Sequence, residues 1–364
     1  MTKSIKEIVG RKTTHINGAF LIHAPGSFLN GAGLGSGEDK NTSTVKSFWQ
    51  NGKKVPYVSS QAWRRWLRNT LIEETGWPKS EIEAIGWNND GSTNKVAGQL
   101  DPITYPEDDI FGYMFASGRD VNPRDERIKR DHIPEEQLVR PSTFKSSLLR
   151  GIDGLISMNE DQGFVHLNDD TPLPYTTEFY AAELMALFSL EIYRLGVFEK
   201  KGNVSQELDP FLKERHSNLI EVLDHPVYRN GEIVKRKDGL TDYQTEVAGA
   251  LIKSIARLNG GAKMAQFGTS LNPSLILVAG MTVGIVPFEH LIGNKDGKPV
   301  LNMQGLKELI KDYKDRFTTP FYIGMLSGYL GNEEEVRDLS EVEGVEVVVD
   351  TPIQVAEKLA AALN

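Results

Sequence analysis

The chain has 364 residues, of which 39% are hydrophobic, and a formal net charge of -9 at pH 7. Its length allows two domains, or one domain with large insertions. It contains no cysteine, which excludes disulfides and thiolate metal sites. No run approaches the roughly 18 apolar residues of a membrane span, and the first residues lack the apolar region of a signal peptide. We therefore expect a soluble, cytoplasmic protein that contacts no membrane.

The basic charge is unevenly distributed along the chain. From Lys40 to Ile72 there are seven Lys or Arg residues and no Asp or Glu, whereas acidic residues concentrate elsewhere, notably between residues 333 and 350. The total charge alone argues against a nucleic-acid binder, but phosphate contacts are local and charges are screened beyond about 10 Å. The pattern favours one polyanion-binding groove on an acidic body.

The first elements are a strand, a loop and a hairpin. Residues 13–24 alternate well enough for a strand, and residues 26–43 form a Gly-rich loop. The glycine run at 31–37 is not followed by lysine and a helix at P-loop spacing, so a Walker A site is rejected and a connector is the simpler interpretation. Asn51-Gly52 predicts a tight hairpin turn between two short strands.

A helix capped by Ser59 or Ser60 follows and ends near Gly76. At about 100° per residue, Gln61 and the arginines Arg64, Arg65 and Arg68 fall within about 100° of arc. The opposite half carries the packing residues Ala62, Trp63, Trp66, Leu67, Thr70 and Leu71. The arginines could simply be solvated or paired with acids elsewhere. The absence of an acid four residues away favours phosphate binding, for which guanidinium forks and a helix N-terminus are suited.

The rest of the chain alternates between insertions and apolar elements. Residues 78–135 have weak periodicity and indicate an inserted subdomain, and residues 199–240 are a second polar insertion. The other predicted elements are a strand at 138–149, a strand in the first half of 177–198, a helix at 241–258, a Gly-flanked loop at 263–268, a buried strand at 274–286, a helix at 304–313, and a last helix from Pro352. Without the insertions the order is strand, helix, strand, strand, helix, strand, which is the split pattern of ferredoxin-like and RNA-recognition α+β folds.

Catalytic and metal chemistry find little support in the sequence. The seven histidines are scattered: His15, His23, His132, His166, His216, His225 and His290. No pair has helical metal-ligand spacing, no nucleophile elbow or dinucleotide fingerprint appears, and the carboxylate pairs Asp108-Asp109 and Asp169-Asp170 lie in turn-rich surroundings. We therefore expect no catalytic residues, no metal and no cofactor.

Several motifs resemble the DevR-type CRISPR-associated autoregulator family, the backbone subunit of type I Cascade, and most closely its subtype I-B. They cover about residues 13–286 and comprise Tyr57-Val58-Ser59-Ser60-Gln61-Ala62-Trp63-Arg64-Arg65-Trp66-Leu67-Arg68, Asp39-Lys40-Asn41-Thr42, Asp109-Ile110-Phe111-Gly112-Tyr113-Met114, Arg140-Pro141-Ser142 with Phe144 and Ser146, Thr177-Glu178-Phe179-Tyr180, and Gly260-Gly261.

The resemblance implies an RNA-recognition-like palm made of residues 1–76, 136–199 and 241–330. Residues 77–135 would be a finger insertion, residues 150–174 a thumb hairpin (alternatively 200–240), and residues 331–364 an acidic C-terminal segment with a helix. Such subunits stack on one another along CRISPR RNA, hold its backbone, let the thumb displace bases at intervals, and join other Cascade subunits. Target DNA is then read by pairing with the guide.

The resemblance also implies which residues contact RNA: Lys46, Ser59, Gln61, Arg64, Arg65 and Arg68, with Arg140, Lys145 and Arg150 lining the groove and Lys263 and Gln266 as additional contacts. The aromatic strand pattern of ordinary RNA-recognition modules is not evident, which favours backbone holding over base stacking.

Two alternatives to a non-enzymatic RNA-binding subunit stay open at this point. Related subunits of type III complexes cut target RNA with a loop aspartate, so a metal-dependent RNA endonuclease is one alternative, although no motif locates such an aspartate here. The other is a DNA-binding transcriptional autoregulator, although no helix-turn-helix pattern supports it.

Overall fold

The computed structural model describes residues 4–34, 41–116, 121–122, 124–165 and 173–363. The strands are β1 (His15–Ser27), β2 (Gly31–Leu34), β3 (Thr42–Val45), β4 (Ser47–Gln50), β5 (Lys53–Val58), β6 (Glu83–Trp87), β7 (Thr93–Ala97), β8 (Tyr113–Phe115), β9 (Leu138–Arg140), β10 (Phe144–Ser146), β11 (Leu149–Val165), β12 (Leu173–Glu191), β13 (Val197–Lys200), β14 (Ile220–Asp224), β15 (Glu232–Arg236), β16 (Leu275–Met281), β17 (Ile292–Lys295), β18 (Lys298–Leu301), β19 (Phe321–Met325), β20 (Glu341–Val342) and β21 (Val345–Asp350). The helices are α1 (Ile5–Val9), α2 (Ser60–Thr75), α3 (Pro106–Phe111), α4 (Pro210–Arg215), α5 (Leu240–Ala256), α6 (Met264–Phe267), α7 (Met303–Tyr313), α8 (Glu333–Arg337) and α9 (Pro352–Ala361). The fold is therefore α+β, as predicted.

One large mixed sheet organises the molecule. Its main path runs β20-β21-β19-β16-β1-β12-β11-β5-β4. Strand β1 lies between β12 and β16 and is antiparallel to both. Strand β11 pairs antiparallel with the other side of β12. At the far side, β21 pairs in parallel with β19, so residues beyond 330 contribute to the same sheet.

Strand β1 is buried on both faces along most of its length. Ile16, Phe20 and Ile22 pack into a core that also contains α2, α5 and α9. Ala19 and Leu21 pack into a second core on the opposite face, which contains α7. Successive strand residues point to opposite faces, so a strand covered on both sides needs an almost continuous apolar run.

Helix α2 has the packing face that its sequence predicts. Trp63, Leu67 and Leu71 are buried, and the Trp63 ring makes edge contacts with Phe20 at 5.4 Å and Phe144 at 5.8 Å. The Ser59 side chain accepts a hydrogen bond from the Ala62 N–H, which makes it the N-cap. Gly76, with φ of 67°, is the C-cap, so the predicted boundaries at both ends are confirmed.

The hairpin turn is also confirmed. Asn51 and Gly52 have φ angles of 49° and 73°, and they join β4 to β5. Positive φ at both central residues is the geometry that the Asn-Gly pair favours in a two-residue hairpin.

The strand predicted at 138–149 is wrong as a single element. The segment is divided into β9, β10 and the beginning of β11, which pair with β8, β12 and β5 respectively. Strands β8 and β9 form a two-stranded sheet of their own, whereas β10 and β11 belong to the main sheet. The strand predicted within 177–198 is present, as part of β12.

The two insertions carry small cores of their own. Residues within 77–135 form the hairpin β6-β7, helix α3 and strand β8, with Ile85, Leu100 and Phe115 buried. Strands β13, β15 and β14 form a separate three-stranded sheet, whose Phe198 and Val234 pack with Leu212 of α4 and with Ile103 of the first insertion.

Candidate nucleic-acid interface

The polar side of α2 is divided into an inner and an outer half. Gln61 and Arg65 are exposed, whereas Arg64 and Arg68 are partly buried. At about 100° per residue, Arg64 and Arg68 lie within about 40° of each other, and Gln61 and Arg65 occupy the next 40° of arc. The boundary of the packed surface therefore passes between the two pairs.

The guanidinium group of Arg64 forms hydrogen bonds within the chain. One terminal nitrogen donates to the Phe144 carbonyl at 2.6 Å, and the other donates to the Phe111 carbonyl at 3.1 Å and to Ser142 Oγ at 2.8 Å. The guanidinium lies 5.4 and 5.7 Å from the centroids of the Phe111 and Phe144 rings. Burial lowers the pKa of Arg64. Its predicted role as a phosphate contact is replaced by that of tying α2 to the chain near α3 and β10.

Arg68 has an acidic partner from a distant segment. Its guanidinium forms an ion pair with Glu107, which is 1% exposed, and donates to the Ser80 carbonyl at 2.6 Å. Burial opposes the charge of Arg68, but its hydrogen bond and attraction to Glu107 outweigh burial and raise its pKa. The acid that is absent from α2 itself is supplied from 39 residues along the chain. We therefore no longer expect Arg68 to contact phosphate.

Arg140 is completely buried and cannot line a groove. It forms ion pairs with Asp109 and Glu207, and it donates to the carbonyls of Val197 at 2.8 Å and Arg194 at 2.9 Å. Planar guanidinium groups suit such forked contacts. Arg140 thus holds together α3, β9 and the segment around β13, and its expected place in the RNA groove is wrong.

Lys145 and Arg150 lie on the sheet face away from α2. Lys145 is opposite Ser189 in β12 and forms an ion pair with Glu191 at 2.5 Å. Arg150 is exposed and opposite Met185, whose side chain belongs to the core on the α7 face. Directly opposed residues share a face. Four strand residues separate the two positions, about 13 Å at 3.3 Å per residue, so the two side chains do not form one tight site.

The remaining expected contacts converge on a loop after β1. The Asn30 carbonyl accepts a hydrogen bond from the Lys46 N–H at 2.9 Å, and Asn30 Oδ1 accepts one from the Ser59 N–H at 3.0 Å. The neighbouring Leu29 carbonyl accepts the Ala262 N–H at 3.0 Å. This loop therefore brings together the β3-β4 junction, the N-terminus of α2 and the loop before α6. We call the polar residues carried by these three segments the Asn30 surface: Lys46, Ser59, Gln61, Arg65, Lys263 and Gln266.

Lys263 is held in place at this surface. Its backbone has φ of 49°, its Nζ donates to Thr177 Oγ1 at 3.1 Å, and the same Nζ lies 4.5 Å from the centroid of the Phe28 ring. Burial lowers the pKa of Lys263. The preceding Gly260 permits close packing, because a Cβ at that position would lie 2.5 Å from Trp66 Cγ. Gln266, on α6, is exposed.

Sequence reasoning missed the organising residue of this surface. Asn30 is one polar residue in a Gly-rich loop, and no local signal distinguishes it from a surface asparagine. The motif residues Asp39 and Lys40, and the pair Asp169-Asp170, lie outside the described residues.

Neither a metal site nor a membrane-spanning helix is found in the described ranges. Within them no three His, Asp or Glu residues are grouped so that they could hold a metal ion. No helix in the same ranges is long and apolar enough to cross a membrane.

Comparison with known proteins identifies the fold. No protein-family model matches the chain, and no curated protein does. Among solved structures, a chain described as "CRISPR RNA-guided surveillance complex" superposes with a TM-score of 0.52 and 12% identity, covering 96% of this chain and 100% of that chain. The chain shares its fold. A second, described as "CRISPR RNA-guided surveillance complex, pre-nicking", gives 0.52 and 11% with the same coverage.

Proposed function

We propose that this chain is a CRISPR RNA-binding backbone subunit of a type I Cascade complex, of the DevR type and most like subtype I-B. In this proposal it is not an enzyme. Copies of it stack along the guide RNA, join other Cascade subunits, and support pairing of the guide with target DNA. The observation that carries the proposal is a fold shared over 96% of this chain with a chain of an RNA-guided surveillance complex.

The arrangement of elements supports the palm and thumb of this proposal. The four strands β16-β1-β12-β11 lie in the order expected for a split βαβ palm, with α2 and α5 packed on one face. The paired parts of β11 and β12 beyond Ile156 and Ala182 form a long hairpin, which favours 150–174 as the thumb. The alternative range, 200–240, contains most of a packed three-stranded sheet instead.

The Asn30 surface is the part that we propose holds RNA phosphates. Within the described residues, Lys46 and Arg65 form no ion pair, so their charges are available to an external anion. The N-terminus of α2 adds N–H groups and the Ser59 hydroxyl. Arg150 is retained as a separate contact on the other face.

The test is the salt dependence of single-stranded RNA binding by a double variant, Lys46→Ala with Arg65→Ala. Each lost phosphate contact on a single strand should reduce the slope of log K against log salt by about 0.7, so we expect a reduction of about 1.4. The matched control is Lys307→Ala with Lys311→Ala, which removes the same charge from exposed positions on α7. Equal slopes in the two double variants would contradict the assignment.

The non-enzymatic part of the proposal is tested separately. Purified protein incubated with CRISPR RNA or complementary RNA, with and without Mg²⁺, should leave both strands intact. Regular cleavage that EDTA abolishes would instead identify a metal-dependent nuclease.

A further inference from the structure

Trp49 is an aromatic side chain that the RNA-binding surface described above does not use. It is 74% exposed and is the most exposed aromatic residue among those that the structure describes. It lies on β4, at the edge of the main sheet, directly opposite Lys54 in β5. Single exposed apolar residues are common, so exposure alone assigns no role.

The backbone that presents Trp49 is firmly held. Lys54 forms an ion pair with Glu178, and the other oxygen of Glu178 accepts the Val45 N–H at 2.9 Å. The Phe48 and Tyr57 rings contact each other across the hairpin, with centroids 5.9 Å apart. The indole is therefore displayed from a rigid two-stranded support rather than from a loose loop, which lowers the entropic cost of using it as a contact.

The hairpin segment that carries Trp49 is itself cationic. Residues 45–57 include Lys46, Lys53 and Lys54 and no acid. Lys53 pairs with Asp153 at 3.4 Å, but the two side chains are 68% and 62% exposed, so that pair stabilises little and is easily exchanged for a phosphate. Lys46 belongs to the Asn30 surface. An exposed ring on a hairpin that also carries cations is the combination that single-stranded nucleic acids bind, with bases on the ring and phosphates on the cations.

The packing of the sheet explains why this ring is at an edge. Ordinary RNA-recognition modules stack bases on aromatic residues of their sheet. Here β1 is covered on both faces, and β16 is buried along its whole length. Neither strand can present a ring to RNA, whereas the edge hairpin can.

We infer that Trp49 stacks on an unpaired base of the RNA that lies along the Asn30 surface. This inference rests on the proposed function and extends it from backbone holding to a base contact. Every base has an aromatic face, so the contact selects single-stranded RNA without selecting its sequence. On its face of the hairpin the indole lies opposite the cationic Lys54 rather than an apolar side chain, which favours a base over the apolar patch of a protein partner.

The experiment uses the full chain and single-stranded RNA oligonucleotides that carry 2-aminopurine at successive positions. Stacking on the indole should quench the fluorescence at one or more positions with the wild-type protein. Trp49→Ala should abolish that quenching and weaken binding about 5- to 150-fold, the equivalent of 1–3 kcal/mol, with an unchanged salt slope. Trp49→Phe should retain most of both effects.

The controls separate this inference from the proposed function. Tyr228→Ala removes another exposed ring and should change neither signal. Wild-type affinity and quenching in a folded Trp49→Ala variant, together with the salt effect of the Lys46 and Arg65 changes, would overturn the stacking and leave the proposed function intact. No RNA binding by the wild type would overturn both. Normal binding of Trp49→Ala to a short oligonucleotide, with fewer copies assembled on a long RNA, would reassign Trp49 to a contact between copies and overturn the inference.

Discussion

The inner and outer halves of the polar side of α2 both contain arginine, but their arginines have different environments. Arg64 and Arg68 are bound to carbonyls, hydroxyls and Glu107 of other segments, whereas Arg65, adjacent to Arg64 in sequence, is exposed. Arg140 resembles these two inner arginines, because it too forms ion pairs with acids of the same chain. We call Arg64, Arg68 and Arg140 the inner group. An arginine-rich helix face is therefore not one surface, and the partners brought by distant segments decide which arginines remain available to an external ligand.

The largest expected effect is on the most buried member of the inner group. Arg140→Met leaves Asp109 buried without its cation and leaves Glu207 with only its second arginine partner, Arg194 at 2.6 Å. Breaking a buried pair by removing one partner costs about 3–5 kcal/mol. Urea unfolding measures the loss. Arg150→Met is the matched control at an exposed position and should change the free energy of unfolding by less than about 0.5 kcal/mol. Equal stability of the two variants would mean that the ion pairs of Arg140 do not stabilise the fold.

A smaller loss is expected at the inner face of α2. Arg68→Met should cost about 1.5–3 kcal/mol, because buried Glu107 loses a charged hydrogen-bond partner. Adding Glu107→Gln should recover part of the loss, which a double-mutant cycle of unfolding free energies measures. Arg65→Met, on the same helix, is the control. An additive cycle would mean that the two side chains do not stabilise each other.

The three consecutive acids of α3 differ in the same way, and the difference should appear in the pH dependence of protein stability. Glu107 and Asp109 have arginine partners, whereas Asp108 forms no ion pair within the described residues, and burial raises its pKa to about 7. Its unfolded pKa is about 3.9, so its charged form is disfavoured in the native state. The stability that it contributes is complete below about pH 4 and is lost as the pH rises through about 7.

Asp108→Asn should therefore flatten the decline in stability between about pH 4 and 7. Its amide oxygen can still accept the Ser80 hydroxyl, which lies 2.9 Å from Asp108 Oδ2. Urea midpoints at several pH values measure the effect, and the exposed Asp312→Asn is the control. A decline as steep as that of the wild type would contradict this role of Asp108.

The smallest expected effect lies on the outer half of α2. Gln61→Ala should weaken single-stranded RNA binding by about 2- to 10-fold, since a neutral hydrogen bond contributes about 0.5–1.5 kcal/mol. The salt slope should not change, because no charge is removed. Asn69→Ala, also exposed on α2, is the control. A loss of protein stability instead of affinity would mean that the Gln61 side chain, like those of the inner group, makes its contacts within the chain.

Local signals in the sequence determined several elements correctly. The periodicity of α2 predicted its buried residues Trp63, Leu67 and Leu71, and the Asn51-Gly52 pair predicted its turn. These features depend on neighbours within one or two turns of chain, so the sequence contains all the information that they need. The strand at 138–149 failed because its three pieces are defined by three different partner strands.

Only the tertiary structure decided which basic residues remain available. Glu107 neutralises Arg68 from 39 residues away, and Arg140 meets Glu207 from 67 residues away. An acid-free stretch of sequence is not an acid-free surface, because charges interact through space rather than along the chain. The sequence alone determined that α2 has a polar, arginine-rich side, and the fold decided that Gln61 and Arg65 are its exposed part.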